Sequence, residues 1–300
     1  MTGTVVVNAD DLGVSRGATL GIVRAHREGI VTSASLTPTT SHYRHALEMC
    51  VRECPELGIG LHFTLSAGKP VSPVRDVPLL VDEQGWFRWR FFSLLRAAGV
   101  QRSRDLLEQV DAELEAQLQR LLADGVRPDH IDGERHVHLI PGLFERVVAA
   151  ARRHRIPFVR VGLEAGMRFA TPAEWPGLFL RGGFAKSWLL SGLSRRNRKF
   201  LGEGVASADR CASYLYSGRL DLLLKNLLAS PPSEGVMEIM VHPGIPEESE
   251  GLSVGNRGLE RYVASADRRR ELAACIAARS SLGGWRLKSF AQIARELAQA

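Results

Sequence analysis

Short apolar runs alternate with helical stretches along almost the whole chain, and this alternation limits the fold more than any other feature. Val5-Val6-Val7 opens the series as a buried strand. Gly17 to Glu28 follows as a helix closed by Gly29, then Ile30 to Leu36 as a strand and His45 to Cys54 as a helix stopped by Pro55. Leu57 to Leu65 reads as a third strand. Arg104 to Asp124 is the clearest helix: Leu106, Leu107, Val110, Leu114, Leu118, Leu121 and Leu122 recur at helical spacing, Ser103 is placed to cap it and Gly125 to end it. Pro128 to Asp132, Ile156 to Val161, Val236 to Val241 and Trp285 to Phe290 continue the strands, with a helix starting at Pro141 and a last one over Ala291 to Ala298. Strands separated by helices imply a parallel sheet with helices packed outside, and about seven such units favour a closed or nearly closed (β/α) barrel. Such a barrel carries its chemistry at the carboxyl ends of its strands.

Several of these strands end in ionisable residues. The first ends in Asp10-Asp11-Leu12-Gly13. Adjacent like charges in a partly buried place need a cation or a proton to offset them, so a metal held by one carboxylate, with the other free as a base, is one reading. An Asx turn in which Asp11 caps the next helix is the other, and this segment alone leaves both open. The third strand carries His62, the fourth leads into His130-Ile131-Asp132-Gly133-Glu134-Arg135-His136-Val137-His138, the fifth ends at Arg160, and a late one ends in Val241-His242. Convergence on one rim points to a metal or catalytic site. Asp, His and Glu suit a first-row divalent ion with an open position for water. No Ser or Cys stands in a nucleophile elbow, which argues against a covalent acyl-enzyme.

The motifs Asn8-Ala9-Asp10-Asp11-Leu12-Gly13, Gly29-Ile30-Val31-Thr32-Ser33, Gly60-Leu61-His62, His130 through Pro141, and Glu238 through Gly244 resemble those of the YdjC-like carbohydrate deacetylases, a group that includes chitooligosaccharide deacetylases and deacetylases associated with hopanoid biosynthesis. The motifs run in order from near residue 5 to near residue 290. The resemblance implies a distorted (β/α) barrel of the glycoside hydrolase/deacetylase type with mostly parallel strands. It also implies metal-dependent removal of an N-acetyl group from an amino sugar, either in an oligosaccharide or in a lipid-linked glycan. Position by position, Asp11 and His62 match metal ligands, Asp10 the general base, His242 the general acid, and Arg160 the arginine that orients the base. The departure is at the third ligand, where many relatives have a histidine and this chain has Glu134. Strand alternation would place Glu134, Asp132, His136 and His138 on one face. Glu134 is therefore the first choice for the ligand, with His136 (or a shift toward His138) as the alternative. The implied ion is zinc, or magnesium or manganese if the glutamate hardens the site. A related hydrolase acting on a non-sugar amide or ester, and a non-catalytic sugar- or lipid-binding relative with a degenerate site, are the competing readings.

The remaining features bound the setting. Residues 1–300 read as one domain, and 163–203, rich in Gly, Phe, Trp and Arg, as an insertion or lid. Cys50 and Cys54 are separated by three residues, Cys211 and Cys275 stand alone, and no CxxC pair occurs, so buried reduced thiols are expected. No segment approaches the ~20 apolar residues of a membrane span, and no signal pattern is seen, so a cytoplasmic location is expected. The +6 formal charge lies largely in Arg195 to Lys199 and in Arg268-Arg269-Arg270, the latter read as a solvated helix face. The basic run after Trp188-Leu189-Leu190 suits peripheral contact with an anionic membrane, while a plain surface helix is the simpler reading. No nucleic-acid motif accompanies the charge. The expected partner is the sugar or glycolipid substrate, and the oligomeric state is left open, a homodimer included.

Overall fold

The computed structural model describes residues 3–299 except 169, 181, 203, 217, 218, 229–233, 250 and 283. Nine strands, β1 Thr4–Leu12, β2 Ser33–Leu36, β3 Gly58–Phe63, β4 His130–Gly133, β5 Phe158–Val159, β6 Leu163–Glu164, β7 Arg210–Ala212, β8 Val236–Val241 and β9 Arg286–Leu287, form one sheet among these residues. The order is β5-β4-β3-β2-β1-β8-β7-β6, with β9 also pairing β1, and every ladder is parallel. A parallel bridge from Phe158 to Ala206 ties the outer strand β5 to the segment leading into β7. The sheet thus curls toward closure, as the strand–helix alternation requires.

The helices are α1 Arg16–Arg27, α2 Tyr43–Glu53, α3 Phe91–Leu94, α4 Arg104–Ala123, α5 Leu143–Arg153, α6 Trp175–Leu180, α7 Gly183–Asn197, α8 Leu220–Leu228, α9 Arg257–Val263, α10 Ala266–Ala278 and α11 Phe290–Leu297. Their buried stripes cover the outside of the sheet. On α4, Leu106, Leu107, Val110, Leu114, Leu118 and Leu121 are all buried, at the spacing read from the sequence. The same face carries Glu113 and Gln117, which reach inward to satisfy the backbone of Val71, Ser72 and Thr64. Ser103 makes no side-chain cap, contrary to expectation, whereas Ser15 caps α1 through Ala18. β2, β3, β5 and β9 are shorter than the runs read from the sequence, whereas β8 matches its run and β1 extends from Thr4 to Leu12.

All four cysteines are buried and free, as expected. No helix among the described residues is long and apolar enough to cross a membrane. Gly21 of α1 packs closely against one strand-end loop. A Cβ there would lie 2.4 Å from the Gly244 Cα, so only glycine lets α1 seat against the His242-Pro243-Gly244 loop.

Candidate active site

A cavity of about 720 Å³ opens at the carboxyl ends of the strands. Asp10, Asp11, His62, Glu134, His136 and His242, each from a different motif or position in the sequence, line it. Phe91, Phe92, Trp188, Leu189, Leu190 and Tyr262 form much of the remaining wall.

Two neighbouring residues of a regular strand point to opposite faces, so Asp10 and Asp11 should not both reach one cavity. The strand is not regular there. The β1–β2 register shifts between Ala9 and Leu12, and Asp11 has a φ of 70°, in the left-handed region that aspartate tolerates better than most residues. This irregularity turns both carboxylates to the same side.

Asp10 is clamped. Arg160 Nη1 donates to its Oδ2 at 2.8 Å and Nη2 to its Oδ1 at 2.7 Å, with Asn8 Nδ2 adding a bond of 2.9 Å. The same guanidinium donates through Nε to Glu238 Oε1 at 2.7 Å and lies 2.7 Å from Asp132 Oδ2. Burial would raise the Asp132 pKa, but Arg160 and His62 hold it well below the usual carboxylate range. Glu238 titrates above its ordinary value, because burial outweighs its share of Arg160.

His62 sits between two carboxylates. It is paired in register with Asp132 on the adjacent strand, and its Nδ1 lies 2.7 Å from Asp132 Oδ1. Its Nε2 faces Asp11 Oδ1 at 3.5 Å. Burial disfavours a charged ring, yet Asp132 and Asp11 raise its pKa well above the usual imidazole value. Behind Asp132, Ser35 Oγ donates to Oδ2 at 2.7 Å and meets His130 Nε2 at 3.0 Å. Gly60 makes room for that histidine, since a Cβ there would meet the ring at 2.4 Å.

Among the described residues, Asp10, His62 and Asp132 offer ligand atoms within 4.8 Å of one another. The oxygens of Asp10 and Asp132, however, already accept from Arg160, Asn8, Ser35 or His62. Asp11 Oδ1 and His62 Nε2, 3.5 Å apart, belong to residues that line the cavity. A carboxylate behind the other nitrogen of a histidine is the usual support of a metal-ligating ring, and Asp132 supplies it.

The expected strand through 134–138 is not formed. β4 ends at Gly133, and residues 134–139 make a tight 3₁₀ stretch in which Arg135 and His136 have φ of 48° and 61°. Strand alternation therefore does not govern these side chains, and they separate. Glu134 stays in the cavity wall, held by Ser66 Oγ and by Arg135 Nε at 3.0 Å. Burial raises its pKa above the ordinary value despite the Arg135 charge. His136 also lines the cavity and packs edge-on against Tyr214 at 4.9 Å, its buried Nδ1 unpartnered. His138 instead turns away to the Arg160 carbonyl at 3.0 Å, and burial pushes its pKa down to about 3.

On the opposite wall, His242 donates its backbone N–H to Glu271 Oε2 at 2.6 Å, and its Nδ1 lies 3.5 Å from the same oxygen. Its ring stands edge-on to Tyr262 at 5.5 Å. Arg268 corrects the reading of 268–270 as a solvated face. It is 1% exposed, donates to Asp11 Oδ2 at 2.6 Å and to the His242 carbonyl at 3.4 Å, and lies 4.1 Å from the Tyr262 ring. Burial would raise the Asp11 pKa, but Arg268 and His62 hold it far below the usual range. Arg269 and Arg270 do face solvent, paired with Glu247 and Asp267.

The model of the YdjC-like protein family matches residues 4–280. The chain belongs to that family. A carbohydrate deacetylase of Brevibacillus brevis is 42% identical over 153 residues, a match that spans 51% of this chain and only 57% of the relative. A chitooligosaccharide deacetylase of Proteus mirabilis is 34% identical over 81% of this chain and 82% of its own length. A solved structure from Enterococcus faecalis V583, described as a cellobiose-phosphate cleavage protein, superposes with a TM-score of 0.69 at 25% identity, covering 98% of this chain and 99% of that one.

Within this YdjC-like chain, sequence reasoning missed Arg268, Glu271, Ser66 and Tyr262. A signal for two of them was present. Arg268, Glu271, Leu272 and Cys275 recur at the i, i+3, i+4, i+7 spacing of a buried helix face. Two charges on an inward stripe mark a site more often than a surface. Ser66 and Tyr262 carried no comparable mark.

Proposed function

We propose that this chain is a hydrolase that removes the acetyl group from an N-acetylated amino sugar, with Asp11, His62 and Glu134 holding a divalent ion. The observation that carries this reading is the juxtaposition of Asp11 Oδ1 and His62 Nε2, 3.5 Å apart at the cavity floor, beside an Asp10 fixed on Arg160. The donor set fits zinc first, with magnesium or manganese made more acceptable by the glutamate. His136, whose Nδ1 is buried and unpartnered, is the alternative third donor. Such an ion, when bound, acidifies water and polarises the acetyl carbonyl.

The chain's own residues do the rest. Asp10, held at both oxygens, accepts the proton of the attacking water at a fixed position, so no search among rotamers delays the transfer. Arg160 fixes that carboxylate and balances its charge. His242, backed by Glu271, donates a proton to the departing amine. The apolar wall of Phe91, Phe92 and Trp188 accepts the part of the substrate remote from the acetyl group, whether more sugar or a lipid-linked carrier. The deacetylase names of the relatives support the same chemistry.

The test is acetate release from N-acetylated sugars by protein loaded with zinc, magnesium or manganese. Asp10→Asn is expected to lower kcat by roughly 10²–10⁴-fold without loss of the fold. Turnover at the unaltered rate in that variant would refute the base assignment. Acetate released from simple acetyl esters and amides but from no sugar would move the protein to the wider hydrolase reading.

A further inference from the structure

The cavity mouth is not covered by polar residues. On one side Phe92 is 72% exposed, and on the other Phe179, Leu180 and Trp188 are 71%, 84% and 82% exposed. Phe92 and Trp188 also line the cavity, so the exposed apolar surface and the opening are continuous. Large side chains left in water beside an opening mark an interaction surface.

The charge of the same region selects the partner. Residues 165–202 contain seven basic side chains and one acidic, an excess as large as the +6 of the whole chain. Their arrangement is ordered. Along α7 and the turn after it, the exposed positions are Ala185, Trp188, Gly192, Arg195, Arg196 and Lys199, a single helical stripe. Its first part faces the cavity mouth with an aromatic ring, and its last part is cationic. A second copy of this surface would bring like charges together, which disfavours self-association. An anionic bilayer takes both halves at once: indole and phenyl rings enter the interface while the arginines meet lipid phosphates.

We infer that this face docks on an anionic membrane surface, with α6 and the exposed stripe of α7 in the interface and the cavity mouth toward the lipid. The inference does not rest on the deacetylase reading, because binding is measured without turnover.

The experiment is co-sedimentation of the full chain with vesicles of phosphatidylcholine alone or mixed with phosphatidylglycerol, at low and high salt. Binding to the mixed vesicles at low salt, lost at high salt and at least roughly tenfold weaker on neutral vesicles, is expected. Arg195→Ser/Arg196→Ser should weaken partitioning by roughly tenfold or more. Phe179→Ser/Leu180→Ser should weaken it by a comparable factor, with unchanged thermal midpoints showing that both variants fold. Lack of binding to anionic vesicles at low salt, equal binding to neutral ones, or indifference to the arginine pair would overturn the inference. So would a dimer in light scattering that Phe179→Ser/Leu180→Ser abolishes, since the face would then be a subunit contact.

Discussion

Replacing Arg160 with methionine tests the electrostatic construction of the site most directly. One guanidinium serves three carboxylates: Asp10 through two bonds of 2.7 and 2.8 Å, Asp132 at 2.7 Å and Glu238 at 2.7 Å. All four residues are at most 3% exposed, so water only partly replaces the lost donor. Removing one partner of a buried pair costs about 3–5 kcal/mol, and leaving three acids behind places this case at the upper end. For a chain of this length roughly 2 °C of melting temperature corresponds to each kcal/mol, so the midpoint should fall by about 10 °C at neutral pH. The sign of the pH dependence follows from Asp132. In the wild type its folded pKa lies below the unfolded value, so its contribution is present above the unfolded pKa and lost as pH falls through the folded one. In the variant Asp132 and Glu238 lose the cation that lowers their pKa values and titrate higher. The deficit is then full at neutral and alkaline pH and shrinks as the acids take up protons below it. Urea and thermal melts of both proteins between mildly acidic and mildly alkaline pH give the comparison. A loss below about 1 kcal/mol, or one that does not change with pH, would refute the argument. Adding Glu238→Gln to the variant should recover part of the stability, because one unbalanced charge is gone.

Glu134→His should tighten zinc binding by roughly tenfold and reduce any preference for magnesium, as read by calorimetry, because imidazole is the softer ligand. Unchanged zinc affinity would remove Glu134 from the ligand set. Gly21→Ala forces α1 away from the Gly244 backbone 2.4 Å from the new Cβ. It should cost about 1–3 kcal/mol in urea melts and lower turnover through the displaced His242 loop; a fully active variant would disconnect that packing from the site.

The barrel was legible because parallel strands buried on both faces read as apolar runs, and the helices between them have clear stripes. The rim was legible because acids and histidines seldom end so many buried strands without a purpose. What alternation could not show was where it stops. It assigns Asp10 and Asp11 to opposite faces, and only the bulge with its left-handed Asp11 brings them together. It assigns Glu134, His136 and His138 to one face, and the left-handed pair Arg135 and His136 disperses them. Both departures from alternation fall where the chain leaves regular geometry, and both lie at the cavity. Within the basic triplet 268–270, Arg269 and Arg270 are solvated as a run of charge suggests, while Arg268 alone occupies one position of a buried stripe.

Charge balance at the strand ends adds an independent reason for a cation at the cavity floor. Five carboxylates stand in direct ion contact with three guanidiniums: Asp10, Asp132 and Glu238 with Arg160, Asp11 with Arg268, and Glu134 with Arg135. All five acids are buried, so the deficit of two positive charges is not spread into water. His62, lying between Asp11 and Asp132, answers part of it by holding a proton well above the ordinary imidazole pKa. A divalent ion answers all of it and competes for the same Nε2. Binding of the ion at neutral pH is therefore expected to release close to one proton from His62, and the apparent affinity should rise with pH until the ring is neutral without it. Calorimetric titrations of zinc in buffers of different ionisation enthalpy count that proton. Zero proton release, with affinity independent of pH, would mean that the ion sits elsewhere.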